Sequence, residues 1–208
     1  MRYGVVCLCV LACFLMSSCA SSWRWEEKRG VHIESPRIIK PLESPLFGEY
    51  AGILVLPLLS KNCPASWQEK FARFYANSLI ERRVFAETRF FPVHNLQIED
   101  ALAVARREGK DFLLYGRVDR LLATGGGQPQ GVRIEIWILG VKNGNTRFHV
   151  LQEGYSTPGK DIDLYWKTYT GRPGAGVEFI VRELADQFAD VVADSEREAR
   201  KKMKGSSD

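Results

Sequence analysis

The sequence predicts an α/β (α+β) fold: a mixed sheet of about five strands with three helices, in the order β-α-β-α-β-β-β-α. Three observations carry this. Gly52-Ile53-Leu54-Val55-Leu56-Pro57-Leu58 is a continuous apolar run, the pattern of a strand buried on both faces. Val132, Ile134, Ile136 and Ile138 alternate with Arg133, Glu135 and Trp137, and the chain then reaches Asn143-Gly144, a strong hairpin signal. Val177, Ile180, Val181, Leu184, Phe188, Val191 and Val192 recur at helical spacing.

Each element follows in order. The first strand ends at Pro57, which cannot donate to a central ladder. Ser66 and Glu69 have capping-box spacing, and Trp67, Phe71, Phe74, Tyr75 and Leu79 form an apolar stripe, so a helix is expected to end near Arg83. Phe90 to Val93 reads as a short strand. Asn95 is placed to cap a second helix that buries Ile98, Ala101, Leu102 and Ala105 and stops at Gly109. Phe112 to Val118 is a third strand. Gly125-Gly126-Gly127 lies in a loose connection, and the hairpin from Val132 to Tyr155 follows. After the last helix face the chain turns charged, which reads as a solvated helix end and tail from Asp194.

The amino terminus has a different character. Met1-Arg2-Tyr3 is short and positive, and Gly4 to Met16 is apolar but shorter than the about 20 residues a spanning helix needs. Leu15-Met16-Ser17-Ser18-Cys19-Ala20 then resembles the lipobox of bacterial lipoproteins, with Met16 where that family usually has Leu, Val or Ile. The resemblance implies that residues 1–18 are a removed signal peptide, and that Cys19 carries a diacylglycerol and an N-acyl chain. Each buried methylene of such chains contributes about 0.8 kcal/mol to anchoring. Ala20, in place of the Asp linked to inner-membrane retention, implies an outer-membrane anchor facing the periplasm. Residues 19–49, with Pro36, Pro41 and Pro45 and no sustained periodicity, read as a lipidated tether. Trp23 and Trp25 lie close enough to the lipid to rest at headgroup level, or else pack against the domain. The domain is assigned to 50–195 and a charged tail to 196–208.

Composition narrows the function classes. The net charge of +4 falls to +3 once Arg2 leaves with the signal peptide, too mild a balance for a nucleic-acid partner. Within the mature chain Cys63 is the one thiol besides Cys19, so no disulfide framework is expected, and its apolar neighbours suit an inert residue. His32, His94 and His149 show no zinc-ligand spacing, and no Gly-x-Ser-x-Gly elbow is present. Gly171 to Gly176 lacks the Lys-Ser/Thr ending of a phosphate loop. No metal, catalytic residue or cofactor other than the acyl chains is expected.

Ala101 to Val118, a small-residue helix running through Gly109-Lys110-Asp111 into a strand with Gly116, resembles the amino-terminal domain of TolB. It is also similar to lipoproteins of the LpoB and CsgG type. Over residues 50–195 the resemblance implies a docking or assembly module: a non-catalytic adaptor for an envelope protein complex, with homo-oligomers possible. Tyr165, Trp166 and Tyr169, between the last strand and last helix, are the expected partner-binding residues, with Gly125, Gly126 and Gly127 beside them. The alternatives are a lipid- or glycan-handling envelope protein in an LptE-like role, a secretion-complex subunit, and an uncharacterised hydrolase. A pore is disfavoured because no spare pair of long hairpins is present to build a barrel.

Overall fold

The apolar run and the alternating hairpin meet in one sheet. The computed structural model describes residues 30–43, 51–123, 128–160, 162–169, 171 and 174–205. Its elements are β1 (Val31–Ile33), β2 (Arg37–Lys40), β3 (Gly52–Val55), α1 (Ala65–Glu81), β4 (Glu87–Phe90), α2 (Ile98–Arg107), β5 (Phe112–Leu122), β6 (Gln130–Gly140), β7 (Thr146–Ser156), β8 (Ile162–Leu164), β9 (Lys167–Tyr169) and α3 (Val177–Gly205). The main sheet runs β1-β7-β6-β5-β3-β4, with β2 also paired to β7. β3 is parallel to β4 and β5, and the remaining pairs are antiparallel.

The expected order of five strands and three helices is present, but the sheet has seven strands. The two additional strands, β1 and β2, lie inside the segment expected to be an irregular tether. They sit end to end on the outer edge of β7, pairing Val31 with Ser156 and Arg37 with Leu151. Strands of three and four residues separated by Pro36 show no periodicity of their own, and their order comes from the open edge they cover. The second expected strand also shifts, from residues 90–93 to Glu87–Phe90.

The helices pack on both faces, because β3 is apolar on both. Ile53 and Val55 join the core beneath α1 and α3, whereas Leu54 and Leu56 join a smaller core beneath α2. α1 and α3 run parallel, since Lys70, Ser78 and Arg82 meet Glu178, Asp186 and Asp190 at a constant offset. Between them and the sheet, Tyr75 stacks edge-on against Phe188 at 5.5 Å, and Phe148 lies 6.2 Å from Phe188. Such aromatic pairs contribute about 0.5–1.5 kcal/mol beyond area burial.

Local signals at the helix starts are overridden. Neither expected cap forms: α1 begins after Pro64 and α2 after Gln97, both without a side-chain cap bond. Pro64 has the φ that helix entry requires, so α1 starts before Ser66 can cap it. Glu69 turns outward to Arg73 at 2.8 Å, and Asn95 takes a left-handed φ of 57°. Gly109, at φ 65°, does end α2 as expected. α3 continues through the 195/196 boundary to Gly205, with Glu196 and Ala199 buried.

Candidate interaction surface

β8 and β9 form a separate two-stranded ribbon, joined by Tyr165 and Trp166. A tip of this kind cannot bury its aromatics against its own short strands. Tyr165 is fully exposed, Trp166 is 80% exposed, and Leu164 beside them is exposed as well. Adjacent large aromatics left in solvent make this tip a candidate contact surface. Tyr169 lies in β9, paired with Ile162. Cys19, Gly125, Gly126 and Gly127 lie outside the described residues.

The ribbon springs from a defined corner of the sheet. Thr157 N donates to Gly30 O at 3.1 Å, so the incoming chain meets the end of β7 there. Ser156, the last residue of β7, is buried, and its Oγ accepts from Ala175 N at 2.7 Å. Val177 N, at the start of α3, donates to Gln130 Oε1 at 3.0 Å. Both segments flanking the ribbon are therefore pinned to the same end of the sheet. The β5–β6 connection emerges there too, because Leu122 pairs with Gly131 and Gln130 with Ser156. The topology thus places the flanks of the expected glycine-rich contact loop at the ribbon's end of the sheet.

A second surface was not anticipated. α2 covers β3 and the first part of β5, and among the described residues no helix packs on the side of β6 and β7 opposite α1 and α3. Glu135 anchors this face: its carboxylate accepts from Arg117 at 2.7 Å and meets His149 Nε2 at 2.8 Å. His149 stacks on Trp137 at 4.8 Å, and the Arg117 guanidinium lies 5.8 Å from the Trp137 ring centre. The hydrogen bond from Arg117 to Asp119 is the main cause holding that guanidinium above its ordinary pKa. Farther along, Arg133 pairs with Glu153 and His32 stacks on Tyr155. Period-two alternation located these residues on one face, but nothing local showed which helices would pack on the other.

Cys63 is buried, and loss of hydration pushes its thiol up to about 11. It is therefore protonated at neutral pH and a poor nucleophile. Among the described residues, no group of three or more His, Cys, Asp or Glu is placed to hold a metal, and no helix is long and apolar enough to cross a membrane. A groove of about 460 Å³ has a mixed lining, in which Leu59 and Val118 stand beside Asn62, Asn95, Gln97, Arg117 and Asp119.

Comparison with known proteins adds the fold. No family model and no curated protein matches the sequence. A solved PelC dodecamer from Paraburkholderia phytofirmans, in a single-site variant, matches with a TM-score of 0.55 at 17% identity, over 78% of this chain and 97% of that chain. A second PelC dodecamer from the same organism gives 0.53 at 17% identity, over 76% and 96%. The chain therefore shares the fold of that subunit. Structural neighbours also include a bacterial lipoprotein, GNA1162 from Neisseria meningitidis, at 19% identity over 50% of this chain and 78% of that one; its TM-score of 0.36 is too low to carry an argument.

Proposed function

We propose that the chain is a lipid-anchored, non-catalytic envelope protein whose domain rests on the bilayer through the Tyr165–Trp166 tip. It acts as an adaptor or assembly subunit for an envelope protein complex. The observation that carries this reading is the shared corner: the chain coming from Cys19 meets the fold at Gly30, where Thr157 leads into the aromatic ribbon. Gly30 lies eleven positions after Cys19, which limits their separation to about 40 Å. Lipid and tip therefore address one membrane. Tyr and Trp favour the headgroup region, and Lys167 next to the tip suits its anionic phosphates. This assigns Tyr165 and Trp166 to the bilayer instead of a protein partner, which leaves the face around Trp137 for protein contacts.

The anchor belongs to the outer membrane on its periplasmic side, as Ala20 implies. The domain is an elaborated relative of the TolB amino-terminal and LpoB/CsgG-type modules, with β1 and β2 added at the edge. Its likeness in fold to a subunit found as a dodecamer supports homo-oligomers. For the glycan- or lipid-handling alternative, the groove of about 460 Å³ offers a mixed lining in which Lys61, Arg117 and Asp119 stand beside Leu59 and Val118.

Membrane fractionation and mass photometry test this. Native protein is expected in the membrane fraction and, after detergent extraction, at a multiple of the subunit mass. Cys19→Ala is expected to shift it largely to the soluble fraction. Unchanged membrane retention of Cys19→Ala would remove the lipid anchor from the account, and a monomer in detergent would remove the self-assembly.

A further inference from the structure

β3 and β4 stop at Val55 and Phe90, while β5 runs on to Leu122 beside them. The chain leaves β3 for α1 on one face of the sheet and leaves β4 for α2 on the other. Ligands of open α/β sheets bind outside the carboxyl ends of parallel strands, in the crevice where successive connections diverge in this way. The groove of about 460 Å³ occupies that place: residues 59–62 follow β3, Asn95 and Gln97 follow β4, and residues 117–119 belong to β5. We propose that this groove binds a short extended peptide segment, through one carboxylate and its peptide groups.

The uncommitted side chains select the ligand. Lys61, Asn62, Asn95 and Gln97 line the groove, and none of these side chains has a hydrogen-bond or ion-pair partner among the described residues. Arg117 is committed: it donates from Nε to Asp119 at 2.5 Å and from Nη2 to Glu135 at 2.7 Å. Asp119 is spent on that contact, which leaves the Lys61 ammonium as the unanswered charge in the lining. A single ammonium matches one carboxylate. Each carboxamide presents a donor and an acceptor in one plane, the complement of a peptide group. Ser60 Oγ accepts from Asn62 N at 3.2 Å, so its O–H remains to donate. Leu59 adds an apolar patch for an aliphatic side chain. A phosphoryl group of two charges would find one free cation, and an uncharged polyol would leave Lys61 unanswered.

Both walls are set before a ligand arrives. Leu59 N donates to Gly116 O and Val118 N to Leu59 O, each at 2.8 Å, which bonds the segment after β3 to β5. Gln68, buried in α1, donates from Nε2 to Ser60 O at 3.1 Å and to Cys63 O at 2.9 Å, holding the turn that carries Lys61 and Asn62. On the other wall Tyr115 OH donates to Leu96 O at 3.2 Å, between Asn95 and Gln97. A site fixed in this way loses less freedom on binding. Arg117 also lies beside the Trp137 ring, so the groove adjoins the face assigned to protein contacts. That the peptide belongs to a partner protein rests on the adaptor reading above.

The test is affinity selection from a synthetic library of N-acetylated tetrapeptides, with free and with amidated carboxyl ends, on the full chain in detergent. Isothermal titration calorimetry then measures the best selected peptide. Enrichment of peptides that carry a carboxylate is expected, with one saturable site. Lys61→Gln is expected to weaken binding about tenfold or more, the size of one lost charge-assisted contact. Gln97→Ala and Asn95→Gly are each expected to weaken it about fivefold, one neutral hydrogen bond. Glycine suits position 95 because Asn95 holds a left-handed φ of 57°. Lys40→Gln, on the edge strand β2, should change nothing. Melting curves establish that each variant is folded. Binding lost on amidation assigns the carboxylate to a chain terminus, and binding kept assigns it to an Asp or Glu side chain. No enrichment, equal selection of amidated peptides without Asp or Glu, full affinity in Lys61→Gln, or equal loss in Lys40→Gln would each overturn the proposal. Synthetic peptides address the groove alone, so failure here is separable from failure of the adaptor reading, which fractionation and mass photometry test.

Discussion

Gln152 is the polar residue on which the main core turns. It is 1% exposed, and its amide joins three elements: Oε1 accepts from Tyr75 OH at 3.1 Å, and Nε2 donates to Leu184 O and Gln187 Oε1, both at 2.8 Å. Gln152→Met keeps the volume but leaves the Tyr75 hydroxyl without that acceptor. We expect a loss of about 1–3 kcal/mol in denaturant unfolding, largely relieved by adding Tyr75→Phe. Gly116 sets a steric limit close by. A Cβ there would meet Leu58 Cδ2 at 2.6 Å and Ile136 Cδ1 at 2.7 Å. Gly116→Ala is expected to cost about 1–3 kcal/mol by overpacking, seen as a lowered melting temperature. The need for close approach at Gly116 was legible in the sequence, where a glycine interrupts an apolar strand. The clamp at Gln152 was not, because its partners come from α1 and α3 and no local pattern links them.

Elements owe their place to tertiary neighbours as much as to their own residues. α3 was readable throughout its apolar face, whereas its last turns were hidden because charged residues there suggested a frayed tail. Their continuation is supported by Arg200 pairing with the buried Glu196 at 2.8 Å. β1 and β2 were hidden for the opposite reason: they are ordered by β7 and carry no signal in isolation. β4 shows how a short edge strand is held by charge. Its Glu87 carboxylate bonds Lys110 Nζ at 2.5 Å, and Lys110, just beyond α2, is itself buried. The hydrogen bond from Lys110, then its charge, holds the Glu87 carboxyl below its usual range. A depressed carboxylate stabilises the fold above its unfolded pKa near 4.5, and that contribution is lost as pH falls through the lower folded value. Lys110→Met is therefore expected to flatten the fall in stability on the acid side of pH 4.5, measured by urea unfolding across that range.

At the scale of the whole molecule, the long strands β5, β6 and β7 join the two ends of the sheet. One end receives the chain and carries the ribbon; the other carries the β6–β7 turn. The sequence located the aromatic segment of the ribbon and the residues of the hairpin. The shared corner was not legible, since it depends on Gly30 meeting Thr157, a contact between distant parts of the chain. Nor was the pairing of β2 with β7, which sets Lys40 across from His149. The measurement that tests the central claim most directly places a photoreactive residue at position 166 of the full-length protein in intact cells. Irradiation is expected to capture phospholipid, with the adduct strongly reduced in Cys19→Ala. Capture of protein alone, with no lipid adduct, would contradict a bilayer-resting tip and return Trp166 to a protein interface.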